Sequence, residues 1–329
     1  MTTYIKPQPL YLQRRTSAPG VQFVPYQRAA VRSVMLDDAR VYGPWWAAHQ
    51  GGLQFAGMTF SDHPTWRANC VPIDQGQSLV DEYLDRELTL LWGYFTHDTS
   101  IACNWSHFIW TYLLRLAFTN STTPLLVSER VPNRFLDWAR EIGFSEFVKV
   151  QDGVRVRRLH APGVLCYRDV NGAVSVLPSA VYALRNRLGL GPPRPWASRT
   201  RIYVARGQSS PWRRVLNEAE VITELTARGF QCIQPETMTV GEQLEAMCNA
   251  ETVVIPMGGA SAITMFAPED CKVVELTFPS FAGVFAGSLW ADVLGQTYER
   301  VDGAAGERTG GLPIDRDFTA PVEEVLKRL

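Results

Sequence analysis

Ile202-Tyr203-Val204-Ala205-Arg206 is an apolar run that stops abruptly at an arginine. A polar turn follows, Gly207-Gln208-Ser209-Ser210-Pro211-Trp212, and then Arg213-Arg214-Val215-Leu216-Asn217-Glu218 leads into a helix. A second strand is predicted at 230–234 and a helix at 240–249. A third strand, Thr252-Val253-Val254-Ile255-Pro256, ends in the small-residue turn Met257-Gly258-Gly259-Ala260-Ser261-Ala262. A final strand is predicted at 272–276. Short continuous apolar runs alternating with helical stretches are the pattern of a parallel sheet buried on both faces. The fold class is therefore α/β. Arginines and a glycine turn at the carboxyl ends of parallel strands suit a phosphorylated ligand, which needs fixed guanidinium groups and closely approaching backbone N–H groups.

Working outward, Gly189-Leu190-Gly191-Pro192-Pro193-Arg194-Pro195-Trp196 is the strongest linker signal in the chain. It divides the sequence into two α/β domains, 1–190 and 191–329. In the first, residues 1–35 are rich in Pro, Arg and Gln without period and are expected to be an extended arm. Residues 36–88 alternate short strand-like runs with turns, including Gly51-Gly52, and 90–95 is expected to be a buried strand. A long amphipathic helix fits 105–118. A strand at Pro124-Leu125-Leu126-Val127, a helix over 133–142 closed by Gly143, and strands at 148–150 and 154–159 complete it. Beyond the third strand of the second domain, a loop is expected over 302–313 and a helix over 322–329.

The 329 residues are 46% hydrophobic and 20% charged, the composition of a folded soluble chain. A net charge of −1 gives no electrostatic reason to expect nucleic acid as a partner. The six cysteines (Cys70, Cys103, Cys166, Cys232, Cys248, Cys271) are scattered, with no CxxC spacing and no Cys/His cluster, so buried free thiols are expected rather than disulfides or metal ligands. No run of about 18 apolar residues predicts a transmembrane helix. The first 15 residues lack the apolar core of a signal peptide. The expected location is cytoplasmic.

Three constellations could carry chemistry. On a regular helix over 105–118, His107, Thr111 and Arg115 lie one turn apart on a shared face, with Asn104 near its cap. Arg206 with Arg213 and Arg214 can hold a diphosphate and stabilise its charge without a metal, and the chain has no DxD motif. The turn at Gly258 and Gly259 lets backbone approach a ligand closely. Thr239 and Glu242 form a capping box, which gives Glu242 a structural reason. Glu236, at a strand's carboxyl end without such a reason, is the better ligand or acid–base candidate. Glu275 ends a buried strand, where it either binds a ribose hydroxyl or faces solvent.

Arg206, Arg213-Arg214, Asn217-Glu218, Pro235-Glu236, Glu242-Gln243, Pro256-x-Gly258, Phe266-Ala267-Pro268 and Glu275-Leu276 resemble, in order and spacing, glycosyltransferase family 61. Asn104, His107 and Arg115 match a further segment of that family. Thr111 stands where the family usually has Asp, and Leu114 where it has Pro. Met257 and Ile263 replace a His and an Asn of the glycine-turn segment. The resemblance implies a GT-B-like architecture of two Rossmann-like domains facing across a cleft. The donor nucleotide would sit on 191–329 and the acceptor side on 1–190. It implies inverting, metal-independent transfer of a sugar from a nucleotide sugar to a hydroxyl of a glycan or glycoconjugate, as in polysaccharide biosynthesis, with no cofactor. Arg206, Arg213 and Arg214 would hold the diphosphate. Gly258, Gly259 and Glu275 would shape the nucleoside side, with Asn104 and Arg115 also in the site. An inverting transfer needs a general base; with Thr111 unable to serve, His107, Glu236 and Asp98 are the candidates. The alternative is a degenerate member that binds nucleotide or glycan without turnover.

Overall fold

The computed structural model describes residues 10–14, 22–26, 34–42, 47–50, 53–54, 82–91, 105–129, 131–151, 153–162, 166–168, 174–191, 195–206, 213–279, 286–310 and 315–329. The chain divides into two compact units, Met1–Gly189 and Leu190–Leu329.

The second unit is built on five parallel strands. β12 (Thr200–Val204), β13 (Phe230–Ile233), β14 (Ala250–Pro256), β15 (Lys272–Thr277) and β16 (Thr297–Asp302) lie in the order β13-β12-β14-β15-β16. Their connections run through helices Glu218–Thr226, Val240–Cys248 and Ala286–Leu294 and the tighter 3₁₀ segment Gly259–Phe266. From β12 the chain goes first to one neighbour and then to the other. The sheet thus reverses its winding between β12 and β14. Outside the carboxyl ends of the strands, that reversal opens the crevice in which such sheets take ligands. Nearly every residue of β14 and β15 is buried, as expected for strands covered on both faces. The capping box forms: the Glu242 N–H donates to Thr239 Oγ1 at 3.2 Å and the Thr239 N–H to Glu242 Oε2 at 2.7 Å.

Two expectations for this unit are corrected. The strand at 272–276 is not the last, because β16 follows. The stretch expected as a loop over 302–313 contains β17 (Ala304–Arg308), paired antiparallel with β18 (Arg316–Thr319). Phe318 of β18 is fully buried beside Phe278, ring centroids 5.9 Å apart, which ties this hairpin to the core under β15. Burying a side chain of that size stabilises by about 1.5–3 kcal/mol.

The first unit holds a seven-stranded mixed sheet. β3 (Val34–Tyr42), β4 (Ala47–Gln50), β5 (Leu53–Gln54), β6 (Tyr83–Leu90), β7 (Leu125–Ser128), β8 (Phe147–Val150) and β9 (Gly153–Ala161) are ordered β5-β4-β3-β9-β6-β7-β8. β6 ends at Leu90, where the buried strand expected at 90–95 was to start, and residues 92–95 lie outside the described residues. β1 (Leu10–Arg14) and β2 (Gln22–Tyr26) form a hairpin in a four-stranded sheet with β10 (Cys166–Arg168) and β11 (Val174–Val176), where an extended arm was expected. Helix Asn133–Glu141 is closed by Gly143 at φ +97, a left-handed residue suited to glycine. It meets the segment at 105–118 through Phe135 and Trp138, each 5.2 Å from the Trp105 ring.

Among the described residues no helix is long and apolar enough to cross a membrane. Of the three cysteines whose side chains are described, Cys271 is buried, but Cys232 is exposed and Cys248 half-buried, so the expectation of buried thiols holds at one of the three.

Candidate functional site

At the carboxyl end of β12 the chain is clamped by one carboxylate. The hydroxyl of buried Tyr203 donates to Glu218 Oε1 at 2.9 Å, and the backbone N–H of Arg206 donates to the same oxygen at 2.8 Å. Glu218 opens its helix, where a negative charge also suits the helix dipole. Burial, reinforced by that carboxylate, pushes the Tyr203 phenol above its usual range, so it stays a donor.

From this clamp the Arg206 side chain crosses the switch point to the turn after β14. Its Nη1 donates to the Met257 carbonyl at 2.7 Å. A Cβ on Gly258 would lie 2.2 Å from that nitrogen, so a larger residue there would require the guanidinium to shift. Burial draws the Arg206 pKa down to about 10, and the positive charge of Arg213 adds to the effect; Glu218 and Asp317 oppose it. The group is still cationic at neutral pH.

Arg213 adopts φ +62, a left-handed conformation that costs a non-glycine residue about 1–3 kcal/mol and is typical of functional sites. Its Nε is buried, makes no hydrogen bond, and lies 3.8 Å from Asp315 Oδ1. Burial lowers its pKa, against the pull of Asp315. Arg214, also expected to hold the diphosphate, is tied to Asp317. Its backbone N–H donates to Asp317 Oδ1 at 2.8 Å, and its Nε and Nη2 donate to Oδ2 at 2.9 and 2.6 Å. It is a strut between the turn and β18.

Glu275 is likewise corrected. It does not face solvent: it is fully buried, with Oε1 accepting from the Ser261 hydroxyl at 2.6 Å and Oε2 from the Tyr298 hydroxyl at 2.7 Å. Burial raises its pKa, an effect the two hydroxyls and Arg300 only partly offset. Ser261 lies in the segment that follows the glycine turn, so Glu275 supports that turn from beneath. Met257 and Ile263 also face the core, at 2% and 0% exposure. Their apolar character suits this packing, and the Met257 sulfur accepts from the Thr277 hydroxyl at 3.3 Å.

Gly258 and Gly259 are partly exposed at the strand edge, and Glu236 is exposed on the turn Pro235–Thr237 that follows β13. The Ala205 N–H donates to the Ile233 carbonyl at 2.9 Å, so Glu236 leaves the same sheet edge one strand from Arg206. The second unit therefore gathers Arg206, Arg213, Gly258, Gly259 and Glu236 along one edge.

In the first unit, the helical segment spans 105–118 as expected but is wound unevenly. A short α-turn at Trp105–His107 widens to a π-type stretch, Phe108–Leu113, and then tightens to 3₁₀ over Leu114–Phe118. The segment is therefore not the regular α-helix expected, since i→i+5 bonding over Phe108–Leu113 changes the residue spacing; such π-bulges recur at functional sites. Arg115 is buried at 3% exposure, 6.0 Å from the centre of the Tyr112 ring. Asp98, Asn104 and the side chains of His107 and Thr111 lie outside the described residues. Among the described residues no group of three or more His, Cys, Asp or Glu could hold a metal ion.

Sequence reasoning missed Ser261, Tyr298, Asp315 and Asp317. Glu218 stood in the Asn217-Glu218 pair without a role, and its place at a helix start was the available signal. Asp317 had no local signal, because its partner lies 103 residues away.

The fold and this edge define an α/β protein with half-buried arginines at the switch point of a parallel sheet, an arrangement suited to an anionic ligand. The chain matches the family described as Glycosyltransferase 61 over residues 105–274, just over half of its 329 residues. It belongs to that family and is a glycosyltransferase. A comparison with curated proteins gives no match. The family match includes the Arg206 edge and the glycine turn and ends before Glu275, β16 and the β17–β18 hairpin.

Proposed function

We propose that the chain moves a sugar, with inversion and without a metal ion, from a nucleotide-sugar donor to a hydroxyl of a glycan or glycoconjugate. The second unit carries the donor, and the first carries the acceptor. The observation that supports this reading best is the Arg206 guanidinium lying across the β12–β14 switch point in the space that Gly258 leaves free. As the acceptor oxygen attacks the anomeric carbon, the bond to the diphosphate breaks and negative charge gathers on the leaving group. Arg206 and Arg213 face that charge as fixed cations, already desolvated, and need no reorganisation when it develops. A general base removes the acceptor proton. Glu236 is the exposed carboxylate on the same edge; His107 and Asp98 are the other candidates.

The test is a panel of nucleotide sugars based on uridine, guanosine, cytidine and thymidine, with sugar release measured with and without EDTA. Release from at least one donor, unchanged by EDTA, is the expected outcome. Activity lost to EDTA and restored by Mn²⁺ would contradict the metal-free mechanism. Nucleotide binding without release from any donor, with glycan acceptors supplied, would favour the degenerate alternative.

A further inference from the structure

The arginine turn does not pair with the sheet it serves. Residues 213–217 are bound instead to 315–320, about a hundred positions later. The Phe318 N–H donates to the Arg214 carbonyl at 3.0 Å and the Leu216 N–H to the Phe318 carbonyl at 2.8 Å. The Asn217 side-chain amide donates to the Ala320 carbonyl and accepts from the Ala320 N–H, at 2.9 and 2.8 Å. Within this seam, Asp315 and Asp317 are two residues apart, the spacing that puts side chains on one face of a strand. They meet the adjacent residues Arg213 and Arg214, which an extended chain would point to opposite sides. The left-handed turn at Arg213 is what brings both arginines to the same carboxylate face.

Two glycines of the hairpin region lie close against these residues. A Cβ on Gly306 would lie 2.9 Å from the Asp317 carbonyl, and one on Gly310 would lie 2.6 Å from the Asp315 Cβ. Asp317 is almost fully buried and accepts three hydrogen bonds from Arg214, so both carboxylate oxygens are engaged. Asp315, also buried, gives Arg213 a counter-charge at 3.8 Å without taking a hydrogen bond from its Nε.

We propose that Asp317 is a positioning residue of the donor site and that Asp315 is its electrostatic complement. Asp317 fixes the arginine turn through Arg214, and Asp315 balances Arg213 while leaving its Nε to donate to the diphosphate. The β17–β18 hairpin, beyond the stretch matching the family, is then part of the donor site. This rests on the reading of the Arg206 edge as a diphosphate site.

The test is calorimetric titration with whichever of UDP, GDP, ADP or dTDP the full chain binds. The proteins compared are the parent, Asp317→Asn, Arg214→Gln, the double variant of these two, Asp315→Asn and Arg206→Ala. Asp317→Asn and Arg214→Gln are each expected to weaken binding about tenfold, the scale of one charge-assisted hydrogen bond. The double variant should be no weaker than either single one, because both act through one clamp. Asp315→Asn should act in the same direction and less. Additive effects of Asp317→Asn and Arg214→Gln, or unchanged affinity in Asp317→Asn while Arg206→Ala weakens binding, would overturn the inference alone. Unchanged affinity in both Asp317→Asn and Arg206→Ala would remove the donor-site reading and the inference with it. If Asp317→Asn melts below the assay temperature, Arg214→Gln probes the same clamp from its half-exposed end, and unchanged affinity there overturns the proposal.

Discussion

The two sheets use charge in opposite ways. In the mixed sheet of the first unit, β9 alternates between buried and more exposed positions, and its polar face is knitted by ion pairs across strands. Arg155 meets Asp38 at 2.5 Å, Arg157 meets Asp85 at 3.0 Å, and Arg158 lies between Asp37 and Glu87. All of these side chains are exposed, and such pairs contribute little to stability. In the parallel sheet of the second unit, β14 and β15 are buried on both faces and, the buried Glu275 apart, carry ionisable residues only at their starts. At the carboxyl edge of this sheet, Arg206, Arg213 and Arg214 meet the carboxylates of Glu218, Asp315 and Asp317. A parallel sheet brings every carboxyl end to one edge, whereas a mixed sheet spreads its polar groups over a face. Burial at an edge, and not the presence of arginine, separates a candidate site from a solvated surface.

The largest expected effect probes whether the hairpin belongs to the parallel sheet. Phe318→Ala should destabilise the protein by about 3–5 kcal/mol in chemical denaturation, the usual cost of deleting a buried phenyl ring. A loss below about 1 kcal/mol would show that the hairpin is peripheral to that core. Next, Arg206→Ala should weaken nucleoside diphosphate binding by about 1.5–3 kcal/mol, the range for a hydrogen bond to a charged group.

The third prediction concerns pH. Burial raises the Glu275 pKa above its ordinary value of 4.5, so the folded state holds this proton more tightly than the unfolded state. Its contribution to stability is therefore fully present below 4.5 and is lost as pH rises through the raised folded value. Glu275→Gln can still bond Ser261 and Tyr298 and has no proton to lose. Its stability relative to the parent should climb as pH rises above 4.5, and a difference flat with pH would contradict the assignment. Smallest of all, Arg155→Ala on the outer face of the first unit should leave both melting temperature and nucleotide affinity unchanged. A measurable loss of affinity there would end the contrast between the two sheets.

How much was legible in the sequence follows from the same contrast. β14 and β15 could be read within two residues because strands buried on both faces are written as unbroken apolar runs. β6 was misplaced because Asp85, Arg86 and Glu87 interrupt its apolar pattern; their partners Arg157, Glu146 and Arg158 lie far along the chain. β16, Thr297-Tyr298-Glu299-Arg300-Val301-Asp302, is an edge strand with one buried position, and it offers no apolar run to find. β2 carries Pro25, which marks irregular chain to a sequence reader but is tolerated because β2 is the outermost strand of its sheet. At the site, Arg206 and Gly258 were visible as residues, but their close approach was not, since it exists only across the β12–β14 crossing. The struts from Asp315 and Asp317 were invisible for the same reason.

The most direct measurement is a calorimetric titration of UDP, GDP, ADP and dTDP into the parent chain and Arg206→Ala, with folding of the variant confirmed by its melting temperature. At least one nucleotide is expected to bind the parent and to bind the variant more than about tenfold more weakly, as loss of a charged hydrogen bond requires. Equal affinity in a folded variant would contradict the claim that the β12–β14 edge holds the diphosphate.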